Sequence, residues 1–187
     1  PGAKFVQGDV GELTGRQLMS MWAPNAVRLL AGCAPCQPFS TYANTATVDK
    51  AKWRLLREFA RLVDECLPDL VTMENVPRLQ GTSPFKTFLQ SLSKGGYQVA
   101  DGVVNAADYG TPQRRKRLVL VASRLGPVAM PEPTHQGSTG WVTVRQAIAH
   151  LPRLTDGQQC SEDRLHLASA LSPLNRKRIR ASRPGGT

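Results

Sequence analysis

A chain of 187 residues, 41% hydrophobic and 20% charged, can bury one ordinary core and is not a disordered segment. No apolar run approaches the roughly 18 residues of a membrane-spanning helix. The opening "PGAKFVQGDV" lacks both a starting Met and an apolar targeting core, and four cysteines are too few for a disulfide scaffold, so a reducing cytoplasm is expected.

The net charge of +10 is unevenly spread: residues 1–110 hold 11 Lys+Arg against 10 Asp+Glu, and residues 111–187 hold 13 against 4. A basic second half suits a polyanionic partner on one side of the molecule, and equally a solvated basic surface.

In chain order, "KFVQGDV" predicts a short strand ending in a turn, and "TGRQLMSMWA" a helix closed at Pro24-Asn25. "AVRLLAGC" is a continuous apolar run of the kind buried on both faces of a parallel sheet. Lys50 to Cys66 has helical spacing, with Leu55, Phe59, Leu62, Val63 and Cys66 on one face and Pro68 beyond it. "DLVTMENV" predicts a second buried strand. "SPFKTFLQSLSKGG" predicts a helix with a Ser N-cap, an early Pro and a Gly-Gly stop. "YQVADGVVNA" and "RLVLVASRL" predict two further strands, joined by the loop "ADYGTPQRRK". From about Gly126 the chain turns rich in Pro, Gly and polar residues. "VTVRQAIAHL" then predicts a short helix, followed by a basic, weakly helical remainder. Short apolar runs alternating with amphipathic stretches indicate an α/β fold.

Three stretches carry candidate chemistry. "GCAPCQPFS" places Cys33 and Cys36 at C-x-x-C spacing, which taken alone suits zinc, a redox pair, core packing or a loop thiol. Zinc needs four ligands, and no second C-x-x-C or paired His cluster is present. Pro38 and the polar Gln37 and Ser40 indicate a strand-to-loop exit, where redox pairs open helices instead. A loop after a parallel strand is where open α/β sheets place their sites, so Cys36 reads as a nucleophilic thiol and Cys33 as packing at the strand end. In "MENV", Glu74 and Asn75 would close a strand at the same end; Glu74 suits a proton donor, and equally a helix cap or surface ion pair. In "TPQRRKRL", alternation puts Gln113, Arg115 and Arg117 on one side of an extended backbone, as for phosphate or carbonyl contacts or a solvated basic loop.

"PCQPFS", "MENV" and "NAADYGTPQRRKRL", in that order and on those elements, closely resemble the DNA cytosine 5-methyltransferases, from about Phe5 to Ser123 and more loosely beyond. The resemblance implies an incomplete Rossmann-like S-adenosylmethionine-dependent methyltransferase fold that acts on a cytosine flipped out of double-stranded DNA. It implies Cys36 as the nucleophile at carbon 6, Glu74 holding ring N3 and the exocyclic amine, Asn75 positioning the site, and Arg115 beside the base and the Cys loop. Gln37, Ser40, Gln113 and Arg117 take supporting or DNA-contact roles. Asp9 matches the adenine-contacting acid, with Val10, Pro35 and Leu55 lining the same cofactor pocket; "GDV" also suits a plain turn.

The Gly-rich loop that opens these enzymes and the following acidic ribose contact have no counterpart here, and "RIRASRPGGT" resembles only the start of a target-recognition region. The expected organisation is therefore a partial catalytic domain over 1–125, a connecting segment over 126–150 and the start of target recognition over 151–187. Without neighbouring strands, the Cys-bearing strand becomes an exposed edge open to a second copy or a complementing subunit. The isolated chain should then bind S-adenosylmethionine weakly and have little activity. The function implied is that of a bacterial, cytoplasmic DNA cytosine 5-methyltransferase of the restriction-modification kind. An RNA cytosine 5-methyltransferase and a non-catalytic nucleic-acid-binding or regulatory subunit are the alternatives.

Overall fold

A computed structural model describes residues 2–34 and 53–182. The described chain forms two compact units, Pro1–Val142 and Thr143–Thr187. The first unit is built on a four-stranded sheet of order β1-β2-β4-β3, with β1 Leu29–Gly32, β2 Leu70–Asn75, β3 Gln98–Asn105 and β4 Lys116–Ser123. Strands β1 and β2 run parallel, whereas β2–β4 and β3–β4 are antiparallel. The short helix α1 (Gly15–Met19) starts on a capping box between Thr14 and Gln17. Helix α2 (Arg54–Cys66) joins β1 to β2 in the crossover that a parallel pair requires.

One face of the sheet makes the core. Val71 and Met73 of β2 and Leu118, Leu120 and Ala122 of β4 pack with Leu56, Phe59 and Val63 of α2. Phe85, Phe88 and Leu92 of α3 (Ser83–Lys94) complete the same cluster. Burial therefore alternates along β2 and β4. Gly32 lets β1 approach α2, because a Cβ there would lie 2.5 Å from the Phe59 ring.

Several expectations are corrected. Residues 4–10 form no strand, and Phe5 is 87% exposed; a strand needs a hydrogen-bonding neighbour, and among the described residues none lies beside them. Strand β1 is one of the two described edges of the sheet, as expected of the Cys-bearing strand, but it is not buried on both faces: Leu29 and Ala31 face outward while Leu30 and Gly32 face α2. On α2 it is Leu56 that enters the core, and Leu55 is only half-buried. The cap of α3 is Thr82, whose Oγ1 accepts from the Phe85 N–H, so Ser83 is the first helical residue and Pro84 the second. The loop after β3 contains a single 3-10 turn, Ala106–Tyr109, closed by Gly110 in the left-handed region at φ 83°.

Helix α4 (Gly137–Gly140) ends the first unit. The segment before it is tied down, with the Thr134 and His135 N–H groups donating to the Asp108 carbonyl and Trp141 Nε1 donating to the Asp108 carboxylate at 2.7 Å. The second unit holds α5 (Val144–Ile148), capped by Thr143 and Gln146, and α6 (Pro173–Ala181), capped by Ser172. Within it, Asp156 accepts from the Leu171 N–H at 2.7 Å and pairs with Arg176 at 3.4 Å. No helix among the described residues is long and apolar enough to cross a membrane.

Candidate functional site

The site forms at the carboxyl ends of β1 and β2 and the start of β4, and sheet geometry explains why. Gly32 sits opposite Met73, so the next residues, Cys33 and Glu74, fall side by side. Glu74 sits opposite Val119, which places Arg117, two residues earlier on β4, diagonally beside it. Counting by two from the core-facing Val71 and Leu118 puts Glu74 and Arg117 on the face away from the helices.

Around the Glu74 carboxylate the two oxygens are divided. Arg117 Nε forms an ion pair with Oε1 at 2.8 Å, and Arg115 Nη2 lies 3.9 Å from the same oxygen. The Cys33 thiol donates to Oε2 at 3.1 Å. Glu74 remains 37% exposed, so this cluster opens to solvent. Hydrogen bonding to Glu74, then desolvation and the charge of Glu74, raise the Cys33 pKa above its ordinary value; Arg117 and Arg115 oppose this. Cys33 is thus held as a thiol. It is exposed and does not pack at the strand end, because it continues the outward parity of Leu29 and Ala31.

Asn75 is 3% exposed and uses both ends of its amide. Its Nδ2 donates to the Ala34 carbonyl at 2.8 Å, and its Oδ1 accepts from the Val76 N–H at 2.8 Å. One strand therefore carries Glu74 and also fixes Ala34, two residues before Cys36. Cys36, Pro35, Gln37 and Ser40 lie outside the described residues. The backbone of the Arg motif is fixed from β3: Asn105 Oδ1 accepts from the Arg115 N–H at 3.0 Å, and the Ala106 N–H donates to the Arg115 carbonyl. Gln113 is exposed on the loop before β4, and no described contact joins its side chain to Glu74.

On the other side of β1 a cleft of about 270 Å³ is lined by Val10, Leu30, Ala34, Leu55 and Phe59, among others. Val10 and Leu55, distant in sequence, thus meet on one mostly apolar wall. Asp9 stands near it in a turn, where its Oδ1 accepts from the Gly11 N–H at 2.8 Å and its Oδ2 pairs with Arg54 at 3.2 Å. Those two donors, the Gly11 N–H first, hold the Asp9 carboxyl below its ordinary range. The turn alternative for Asp9 is therefore real. The contacts that sequence reasoning missed are the Cys33–Glu74 bond and the Arg54 partner of Asp9. Strand parity was the available signal for the first. No metal-binding cluster of His, Cys, Asp or Glu occurs among the described residues.

Comparison with known proteins follows this geometry. The family model for C-5 cytosine-specific DNA methylase matches residues 2–177. The Type II methylase M.HgiDII of Herpetosiphon aurantiacus is 41% identical over 187 residues, covering 98% of this chain and 52% of its own length. The Type II methyltransferase M.AquIA of Picosynechococcus is 31% identical over 182 residues, covering 83% of this chain and 73% of its own length. The chain thus spans about half the length of M.HgiDII. A DNA modification methyltransferase encoded within an E. coli prophage superposes with a TM-score of 0.58 at 25% identity, over 84% of this chain and 45% of that one. The S. pombe Dnmt2 methyltransferase shares the fold, with a TM-score of 0.54 at 18% identity, over 67% of this chain and 38% of that one.

Proposed function

The chain belongs to the C-5 cytosine-specific DNA methylase family, and on that premise we propose that it carries the base-handling half of a DNA cytosine 5-methyltransferase. The observation that supports this reading is the meeting of two separated motifs at one end of the sheet, beside the strand end that leads to the third. Glu74 pairs with the arginines of "QRRKR", while Asn75 bonds Ala34, two residues before Cys36.

Carbon 5 of cytosine is a weak nucleophile, so the reaction needs electrons pushed into the ring. The Cys36 thiolate adds to carbon 6, forming an S–C6 bond and moving the 5,6 double-bond electrons to carbon 5. Glu74 accepts from the exocyclic amine and delivers a proton to ring N3, which offsets the negative charge that thiolate addition builds on the ring. Arg115 and Arg117 fix one Glu74 oxygen in place, and Arg115 favours the thiolate and the developing negative charge. Carbon 5 takes the methyl group, a base removes its proton, and the electrons of that C–H bond restore the double bond as the thiolate leaves. Gln37, Ser40 and Gln113 serve as DNA contacts.

S-adenosylmethionine, when bound, supplies the methyl group. The Val10–Leu55 cleft fits its flat, largely apolar adenine ring, with Asp9 at hand to accept from the exocyclic amine once a ligand competes with Arg54. By the family resemblance Pro35 belongs to the same cofactor pocket. At about 270 Å³ the cleft is smaller than the roughly 300–1,000 Å³ typical of whole-ligand pockets, which supports weak cofactor binding by this chain alone. The outward edge of β1 supports a complementing segment or a second copy as the partner that would enlarge it. The bacterial sources of M.HgiDII and M.AquIA support a bacterial cytoplasmic setting and a role in modification.

The test is methyl transfer by the full-length protein to duplex DNA, with Cys36→Ser as control. Activity should fall by at least about 10³-fold in the variant, and duplexes carrying 5-fluorocytosine should trap the wild-type protein covalently at Cys36. Methylation without a Cys36 adduct would sink the mechanism, and binding without methylation would favour a non-catalytic subunit.

A further inference from the structure

Strand parity and the carboxylate geometry single out a residue that the proposed reaction does not assign. We propose that Cys33 is a positioning residue: its thiol holds Oε2 of Glu74 on the base side, against the pull of the two arginines on Oε1. The inference rests on the reading of Glu74 as the base-holding acid.

Three side chains, two arginines and a thiol, face the one carboxylate of Glu74. Arg117 and Arg115 both address Oε1. An arginine facing a carboxylate tends toward a two-pronged pairing that uses both oxygens. In that pairing Glu74 would turn toward β4 and withdraw Oε2 from the open side of the cluster. The Cys33 donor, at 3.1 Å from Oε2, opposes this turn from the β1 side. Cys33 reaches Glu74 because Gly32 pairs with Met73, making the two residues lateral neighbours on the outward face.

A thiol also suits this place because it is a weak donor. The exocyclic amine of cytosine is a stronger donor and can take Oε2 from the thiol. One donor then replaces another, and the carboxylate is never left bare. Alanine leaves Glu74 free to close on the arginines, whereas serine preserves a donor at nearly the same place.

Two measurements test this. In the full-length protein, Cys33→Ala should lower kcat/KM for methyl transfer about tenfold, chiefly through KM, and Cys33→Ser should recover it to within about threefold of wild type. The second measurement needs no catalysis. In a Cys36→Ser background, alkylation of Cys33 by iodoacetamide at pH 8, read by peptide mass spectrometry, should accelerate about threefold or more when Glu74→Gln removes the neighbouring charge. Unchanged kcat/KM in Cys33→Ala, with an active wild type, overturns the positioning role. An unchanged alkylation rate overturns the contact itself. Wild-type protein that neither methylates DNA nor forms the Cys36 adduct overturns the reading of the whole site, and the role of Cys33 with it, even where alkylation confirms the contact.

Discussion

Both ends of the sheet place an acid near two arginines, and the two ends use that chemistry differently. At the start of β2, Asp69 Oδ2 accepts from the Arg28 N–H at 2.8 Å and from its Nε at 3.3 Å. The Arg124 N–H donates to the Asp69 carbonyl, Arg124 Nη1 donates to the Leu67 carbonyl, and Tyr97 donates to the Pro68 carbonyl at 2.6 Å. Nearly every partner there is main chain, so the cluster fastens the turn after α2 to the sheet. At the other end, the partners of Glu74 are side chains just after β1, on β4 and in the loop before β4, with the carboxylate open to solvent. Charge composition does not separate the two clusters. What separates them is whether the acid is consumed by backbone or held by side chains that a substrate can displace.

Substitutions at the two acids should split along that line. Glu74→Gln should lower kcat/KM for methyl transfer about 100-fold and leave the thermal midpoint nearly unchanged. Asp69→Asn should do the reverse, lowering the midpoint with kcat/KM within about twofold of wild type. Matching kinetic losses at both positions would abolish the contrast. Asp69 also sets an acid limb. Its pKa is lowered in the folded state, by the Arg28 N–H first, so its contribution is present above the ordinary value of 3.8 and lost as pH falls through the lowered one.

Asn75 lies between the two behaviours, bonded to main chain like the structural cluster yet adjacent to the chemical one. Removing its amide in Asn75→Ala strands the Ala34 carbonyl and should cost about 2 kcal/mol in denaturant unfolding, with a loss of activity as the loop start is released.

The smallest effect is expected at Tyr97. Burial pushes its hydroxyl up to about 12 from an ordinary 10.0. A group whose pKa is raised on folding stabilises the fold fully below its unfolded value, and that contribution fades as pH rises from 10.0 toward about 12. Stability should therefore fall across that window by about 1–2 kcal/mol, and Tyr97→Phe should flatten the Tyr97 part of the fall. An unchanged slope in the variant would show that Tyr97 is not the alkaline sensor of this cluster.

Much of this was legible in the residue order, because apolar periodicity and strand parity are local properties. The alternation Val71, Met73, Asn75 against Leu70, Thr72, Glu74 already points Glu74 outward, and the Gly95-Gly96 stop already ends α3. What was not legible depends on neighbours. Leu55 and Leu56 are equally apolar, and only the approach of β1 and α3 to α2 decides that Leu56 enters the core. "KFVQGDV" has the composition of a strand, but no described strand lies beside it to receive its hydrogen bonds. Small apolar residues around Cys33 in sequence suggest strand-end packing, whereas its neighbour on β2 is a carboxylate. The Arg54 partner of Asp9 is 45 residues away and leaves no local trace.

The bond from Asn75 to Ala34 also bears on how uniform a preparation of this protein will be. Strand β1 is only four residues long, Leu29–Gly32, and one slip along β2 would exchange its two faces. A slipped chain would keep the α2–α3 core yet turn Cys33 inward and shift the segment leading to Cys36 by a residue, giving a folded population in which the proposed site is not assembled. The Asn75 amide acts as a gauge against that slip, since a one-residue shift of about 3.3 Å would carry the Ala34 carbonyl away from a bond now 2.8 Å long. Specific activity, rather than yield or melting temperature, is the property in which a worn gauge would first be noticed.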